Sequence, residues 1–245
     1  MPLLRHHQPS EEVNSDRSLM NSFKFFALLG GSAAALVFGS CGQGEVVQPE
    51  PEKVEEDVRG SWISDHLYEN RFLNLLIEIP EDWALQRDEN KNQQLLDTGT
   101  ELLAGDDLEL KETWEESIES AYIVGVASKR PLGTPGLNPN ISFTLENVRA
   151  AGGFTSAADY FPALKQTLRD SQIQVEFEDT PSPTTIGEID FFKLDGTVSL
   201  EGIEIKQRYW VCKRHHYILL IVATWFDDSE EQELVDIIHA IRPAK

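Results

Sequence analysis

Two adjacent histidines, His215 and His216, could bind a metal, because neutral imidazole nitrogens are common metal ligands. Neighbouring residues on an extended backbone point to opposite sides, and no third ligand is close in the sequence. His66 and His239 could join them only through folding. We therefore expect a solvated turn at His215 and His216, and a metal site is the alternative.

A dense acidic stretch is the second candidate for cation chemistry. It lacks the glycine-punctuated spacing of a calcium-binding loop. A solvated helix face is the expected structure, with weak calcium binding as the alternative. Its members are Asp106, Asp107, Glu109, Glu112, Glu115, Glu116 and Glu119.

Cys212 is the best of the candidate nucleophiles. It shares one face of a predicted strand with Trp210 and Arg208, and Lys213, Arg214 and His215 follow close by in the sequence. Positive surroundings can lower the pKa of a thiol and activate it. A cysteine in a strand is more often a small core residue, and we expect that structure here.

Other short motifs do not support catalysis. The chain has no serine-nucleophile motif, phosphate loop or metalloprotease helix. Gly152 and Gly153 precede a predicted helix whose N-terminus could receive an anion, although a plain loop is the simpler interpretation. Asn140–Ser142 matches a glycosylation sequon, which would be incidental in a bacterium. We predict no catalytic residue, no cofactor and no metal ligand.

The N-terminal region reads as a targeting segment. Residues 25–38 form an uncharged apolar run that follows Lys24 and is shorter than the roughly 20 residues of a membrane-spanning helix. The run ends at Gly39-Ser40-Cys41, which resembles the lipobox of bacterial lipoproteins, although Phe38 stands where that family usually has an aliphatic residue. The resemblance implies that residues 1–40 are removed and that Cys41 carries lipid.

Two further features refine this prediction. Met20 would be a natural start for such a signal, so residues 1–19 are expected to precede the true start. Gly42 after the cysteine resembles an outer-membrane sorting signal if the host is Gram-negative. An ordinary secretory signal or an uncleaved anchor is the alternative.

Charge and composition define the tether and exclude some partners. The chain has 42 acidic against 21 basic residues and a formal charge of −21, so nucleic acid is an unfavourable partner and anionic headgroups would repel the domain. Residues 41–59, the lipidated cysteine and a stretch rich in acids, proline and glycine, are expected to form a flexible linker. One domain should occupy residues 60–245. With Cys41 lipidated, Cys212 would have no disulfide partner.

The spacing of apolar residues predicts a strand-rich domain. Two short strands are expected between Trp62 and Ile79, followed by a turn at residues 80–83. Six further strands are predicted at residues 120–129, 140–146, 173–179, 188–200, 203–213 and 217–226. The short turns between the last three strands require antiparallel pairing. Interspersed helices make the class α+β with a mainly antiparallel sheet.

Helices are predicted in three places. Residues 91–118 favour one or two amphipathic helices broken at Gly105. Ser156 and Asp159 indicate a capping box, after which Pro162 predicts a bend or a later helix start. Ser229 with Gln232 is expected to cap a final helix, whose apolar stripe is Leu234, Val235, Ile238 and Ile241. Most of the large aromatic residues should be core: Trp62, Tyr68, Phe72, Trp83, Tyr209 and Trp225.

The order of these elements resembles a known family. Several segments are similar to the PsbP-like fold, as carried by bacterial lipoproteins of the DcrB group. They are IPEDW, AYIVGVASK, NPNISFTLEN, DYFPALKQTL and the closing pair IKQRYWVC and YILLIVATW. The resemblance extends roughly from Trp62 to Arg242. It implies an α-β-α sandwich that serves as a binding or assembly module without a shared active site, so it assigns no functional residue.

These observations lead to one functional expectation. We expect a lipid-anchored module in the bacterial cell envelope, outside the cytoplasmic membrane, that binds or assembles a protein partner without catalysis. In a Gram-negative host it would lie on the outer membrane, facing the periplasm. The first alternative is a binding protein for a small molecule, lipid or cation, and the second is an enzyme.

Overall fold

The computed structural model describes six stretches of the chain: residues 58–118, 120–149, 154–171, 173–178, 180–200 and 202–244. The predicted signal, Cys41 and most of the predicted linker lie outside the described residues. Val58, where the description begins, is already buried against Tyr68 and its neighbours. Within these stretches, no helix combines the length and the hydropathy needed to span a membrane.

Eleven strands and four helices make up the described structure. The strands are β1 (Ser61–Trp62), β2 (Leu67–Asn70), β3 (Leu75–Glu78), β4 (Ala84–Gln86), β5 (Ala121–Ser128), β6 (Asn140–Asn147), β7 (Gln174–Phe177), β8 (Ser182–Ile186), β9 (Ile189–Leu200), β10 (Ile203–Arg214) and β11 (Tyr217–Trp225). The helices are α1 (Glu89–Ala104), α2 (Leu108–Ile118), α3 (Tyr160–Asp170) and α4 (Asp228–His239).

One eight-stranded antiparallel sheet is the centre of the fold. Its order is β4-β5-β6-β11-β10-β9-β7, and β8 pairs with β9 beside β7. Alternate residues of β11 enter two different cores: Ile218 and Leu220 face α1, α2 and α3, whereas Leu219 and Ile221 face α4 and a small sheet. The predicted α+β class with a helix layer on each face of an antiparallel sheet is therefore confirmed.

The small sheet contains β1, β2 and β3, where the sequence analysis predicted two strands. Leu75 and Ile77 are buried on its inner face, as their alternation predicted. The amide of Trp83 donates to the carbonyl of Pro80, 3.0 Å away, which forms the predicted turn. The extra strand is only two residues long, too short to produce a period of two.

Three further predictions of local structure need correction. The short strands β4 and β8 were both missed, and Pro183 in β8 is tolerated because this strand lies at the sheet edge. The predicted cap of α4 at Ser229 is wrong, because Asp227 caps this helix and forms a capping box with Glu230. Within the predicted apolar stripe Val235 is only half-buried, and Ile237 is buried instead.

The region around α3 follows the sequence closely. Ser156 and Asp159 form the predicted capping box around one 3-10 turn. The α-helix starts after this turn, at Tyr160, so that Pro162 occupies its first turn, where proline is tolerated. The predicted later helix start is confirmed. Likewise, α1 ends at Ala104 and Gly105 follows as its C-cap, with a φ of 57°.

Candidate functional site

An open groove of about 400 Å³ lies at the β4 edge of the main sheet. Among the described residues, β4 pairs with β5 on one side and has no strand partner on the other. The groove is bounded by β4, by one face of α1 and by the loop after β5. Its lining residues are Ala84, Leu85, Gln86, Lys91, Gln94, Leu95, Thr98, Pro131, Leu132 and Gly133.

The short β4 is held in place by a close approach to Gly125 in β5. A Cβ at Gly125 would lie 2.9 Å from the Trp62 ring and 3.3 Å from the Gln86 carbonyl oxygen. The indole Nε1 of Trp62 donates to the Val124 carbonyl oxygen at 3.2 Å, so the ring fills the space that glycine leaves. The absent side chain thus allows β1 and β4 to pack on β5.

Helix α1 begins directly after β4 and supplies the second wall of the groove. The side chain of Asp88 caps the helix by accepting a hydrogen bond from the Lys91 amide at 3.0 Å. Residues at helical spacing then share one side of α1, so Lys91, Leu95 and Thr98 all line the groove.

The groove combines apolar surface with the polar side chains of Gln86, Lys91, Gln94 and Thr98. Leu85, Leu95 and Leu132 supply apolar surface, and the side chain of Lys91 is exposed. Lys91 forms no ion pair with any described residue. The amide Nε2 of Gln86 is buried and has no acceptor within the described structure. The described lining contains no carboxylate, imidazole or thiol. These groups can bind a ligand, but they offer no acid-base pair or activated nucleophile.

A second, polar cleft of about 470 Å³ lies on the opposite side of α1. Arg59 stacks 4.6 Å from the Tyr122 ring centroid, and the Tyr122 hydroxyl donates to a Glu89 carboxylate oxygen at 3.3 Å. Burial raises the pKa of Tyr122, and the neighbouring Glu89 raises it further. Asn92 is buried with its Oδ1 lacking a partner among the described residues, and Glu115 also lines the cleft.

The acidic stretch predicted from the sequence is a solvated helix face where the structure describes it. Glu109, Glu112 and Glu115 are exposed on α2, and Asp107 accepts a hydrogen bond from the Leu110 amide at the start of that helix. No group of three or more potential metal ligands forms among the described residues. The side chain of Glu116 and all of Glu119 lie outside the description.

The histidine pair forms the predicted turn between β10 and β11. Both residues are exposed, His215 has a φ of 53°, and the His216 carbonyl accepts a hydrogen bond from the Val148 amide at 2.8 Å. The His215 ring lies 5.7 Å from that of Phe72, not beside another imidazole. His66 and His239 therefore do not join the pair as metal ligands in the described structure.

Cys212 is buried on the face that it shares with Trp210, as predicted. Burial raises the pKa of its thiol to about 12, so the group stays protonated near neutral pH. Arg208 does not activate it, because both carboxylate oxygens of Asp195 and one of Glu231 bind the guanidinium. The arrangement lacks the thiolate that nucleophilic catalysis requires.

The remaining residues that were singled out from the sequence either have a structural role or lie outside the described residues. Asn140, in the sequon, is buried and donates through its side-chain amide to the Asn138 carbonyl, 3.1 Å away. Gly152 and Gly153 are not described. The aromatic residues are mostly core, as predicted: Tyr68, Trp83, Tyr209 and Trp225 are buried, and Trp62 and Phe72 are half-buried.

The groove residues Gln86, Lys91 and Leu132 are not evident from the sequence. No local pattern marks them, because they belong to three elements that meet only through the pairing of β4 with β5. The one available signal was Gly125 inside an otherwise apolar strand, since such a glycine often marks a close approach by another part of the chain.

The chain matches no protein-family model and no curated protein. Its fold is similar to that of several solved structures. Cyanobacterial PsbP from Synechocystis has 12% identity and a TM-score of 0.45 over 84% of this chain and 99% of that one. LpqN of Mycobacterium tuberculosis, described as involved in cell envelope biogenesis, has 15% identity and a TM-score of 0.40 over 70% and 83%.

Proposed function

We propose that this protein is a membrane-tethered, non-catalytic binding module that captures an extended segment of a partner protein at β4. The observation that carries the proposal is the groove at the open edge of that strand. An unpaired strand edge presents backbone donors and acceptors that an added strand can satisfy. The leucines of the groove would receive the side chains of that segment.

The cellular location in this proposal rests on the sequence. The apolar run at residues 25–38 and the lipobox-like Gly39-Ser40-Cys41 would place a lipid on Cys41 and the domain outside the cytoplasmic membrane. Gly42 would direct the protein to the outer membrane of a Gram-negative host. By analogy, the PsbP-like resemblance of residues 62–242 fits a binding or assembly role.

The polar cleft supports a second candidate function, the binding of a small cationic ligand. The buried Oδ1 of Asn92 has no donor in the described structure, and Glu89, Asp97 and Glu115 line the same cleft. Arg59 lies there as well and opposes a simple cation, and so we rank this function below capture of a partner segment.

Photocrosslinking in the native host tests the proposed function. A photoreactive amino acid replaces Gln94, which is exposed in the groove, and a control variant carries it at Thr185, which is exposed on β8 at the far edge of the sheet. We expect one stoichiometric crosslinked partner from position 94 and none from position 185. A second arm uses labelled palmitate, whose incorporation should be abolished by Cys41→Ala.

Two outcomes would count against the proposal. Equal products from positions 94 and 185 would indicate nonspecific contact and remove the assignment to the groove. Palmitate label that persists in Cys41→Ala would remove the lipid anchor while leaving the groove untouched.

A further inference from the structure

We propose that the groove at β4 recognises a partner segment that is extended, apolar and carries a carboxylate, received by Lys91 and Gln86. This inference rests on the proposed function and gives the chemistry of the partner. The carboxylate is the C-terminal carboxylate of that segment.

The charge of the groove is the first observation. The chain has a formal charge of −21, yet the only charged residue among the described lining is a cation, Lys91. Ion pairs hold other lysines, such as Lys129 with Asp82 and Glu233. Lys91, in contrast, has no carboxylate within pairing distance in the described structure. An anionic group entering the groove would find this cation unpaired.

The position of Lys91 in α1 strengthens this argument. It lies in the first turn of the helix, where the positive end of the helix dipole disfavours a cation and favours an anion. Helix stability therefore does not account for a lysine at this place. A bound carboxylate would interact favourably with both the ammonium group and the helix end.

Gln86 supplies an independent donor. Its Nε2 is buried without an acceptor in the described structure, although buried polar groups are usually hydrogen-bonded. Gln86 lines the same groove as Lys91, and rotation of its flexible side chain would present the amide to an occupant. Two donors in one groove that lack partners in the described structure call for a ligand rich in acceptors.

The apolar wall and the strand edge identify the occupant as a peptide. Leu85, Leu95 and Leu132 provide surface for apolar side chains. A fatty acid could use these leucines and Lys91, but it has no backbone to pair with the edge of β4 that lacks a strand partner in the described structure. Only an extended polypeptide uses all the features of the groove together.

Photoreactive peptide probes test this inference on the full-length chain in lipid nanodiscs. The probe is a short peptide of alternating leucine and valine with one diazirine-bearing leucine, made with a free C-terminal carboxylate or with a C-terminal amide. We expect the carboxylate form to label β4, α1 and residues 131–133, about threefold more than the amide form, which is the scale of one exposed ion pair. Mass spectrometry locates the label.

Charge variants show whether Lys91 is responsible. Lys91→Gln should abolish the difference between the two probes, and Lys91→Arg should keep it. Lys213→Gln, which removes the same charge four strands away in β10, should have no effect. Circular dichroism of each variant confirms that the fold is retained.

Each other outcome overturns the inference. Equal labelling by both probes would contradict the recognition of a carboxylate. Labelling outside the groove would contradict the location of the site. Labelling by a diazirine fatty acid without labelling by either peptide would identify a lipid site instead. If the crosslink from position 94 is obtained while the probes fail to discriminate, the proposed function stands and this inference alone fails.

Discussion

At the scale of single residues, burial decides what a reactive side chain can do. Cys212 has Lys213 and Arg214 next to it in the sequence, which would favour a thiolate if their charges reached it. Its side chain instead enters the core between the sheet and α4, while Arg214 is exposed. Because desolvation penalises the charged form, the pKa of the thiol rises to about 12.

We therefore predict that Cys212 does not react with a thiol reagent in the native protein. The Cys41→Ser chain, whose sole cysteine is Cys212, should react with Ellman's reagent only after denaturation. Cys212→Ser should destabilise the fold by about 1–3 kcal/mol in urea unfolding, because it buries a hydroxyl among apolar side chains. Cys212→Ala is the matched control and should cost less. Rapid modification of the native chain would contradict the assignment of Cys212 to the core.

At the scale of secondary-structure elements, the sequence offers two possible N-caps for α4. Two residue pairs near its start have the spacing of a capping box: Ser229 with Gln232, and Asp227 with Glu230. The chain leaves β11 at Trp225, and the backbone turns at Asp227, whose amide donates to Glu230 at 3.2 Å. The Asp227 carboxylate accepts from the Ser229 amide and hydroxyl, so Ser229 supports the cap.

Asp227→Ala should accordingly lower the melting temperature more than Ser229→Ala, whereas Asp227→Asn should retain most of the stability. Hydrogen bonds from Ser229 lower the pKa of Asp227, so its ionised form stabilises the helix above the ordinary carboxyl pKa. This contribution should be lost as the pH falls through the lowered pKa, where the wild type and Asp227→Asn should converge. Thermal melts followed by circular dichroism provide the measurement. A larger loss of melting temperature from Ser229→Ala would instead support Ser229 as the N-cap, as predicted from the sequence.

At the scale of the whole molecule, buried ionisable groups set the response to alkaline pH. Burial raises the pKa of Tyr68, Tyr160 and Tyr209, and also that of Cys212. A group with a raised pKa in the folded state holds its proton more tightly there than in the unfolded chain. Its contribution to the free energy of unfolding is therefore complete below its ordinary pKa and is lost as the pH rises above that value.

The free energy of unfolding should thus fall as the pH rises from about 9 to about 11, with each fully buried group contributing up to about 1.4 kcal/mol per pH unit. Urea unfolding at several pH values provides the measurement. Tyr209→Phe removes one of these groups and should make the dependence shallower. A slope equal to that of the wild type in this variant would exclude Tyr209 from the alkaline transition.

The sequence by itself determined the regular part of this fold. The strand-like runs at residues 188–200, 203–213 and 217–226 and the short turns between them predicted the antiparallel meander, because such turns permit no other pairing. Gly105 and Pro162 marked the break between two helices and the late start of α3. These features depend on residues close together in the chain, so a local pattern is enough to reveal them. The predictions of a signal and a lipid on Cys41 rest on the sequence alone.

Only the tertiary structure decided where the proposed binding site lies. The pairing of three-residue β4 with β5, permitted by Gly125, places β4 beside Leu95 of α1 and Leu132 of the following loop, so that the three elements line one groove. No local spacing predicts such a meeting, because it depends on which strand occupies the sheet edge and which helix covers it. The same packing buries Cys212 and leaves Lys91 without a partner in the described structure, so the surroundings of these two residues follow from packing between distant segments.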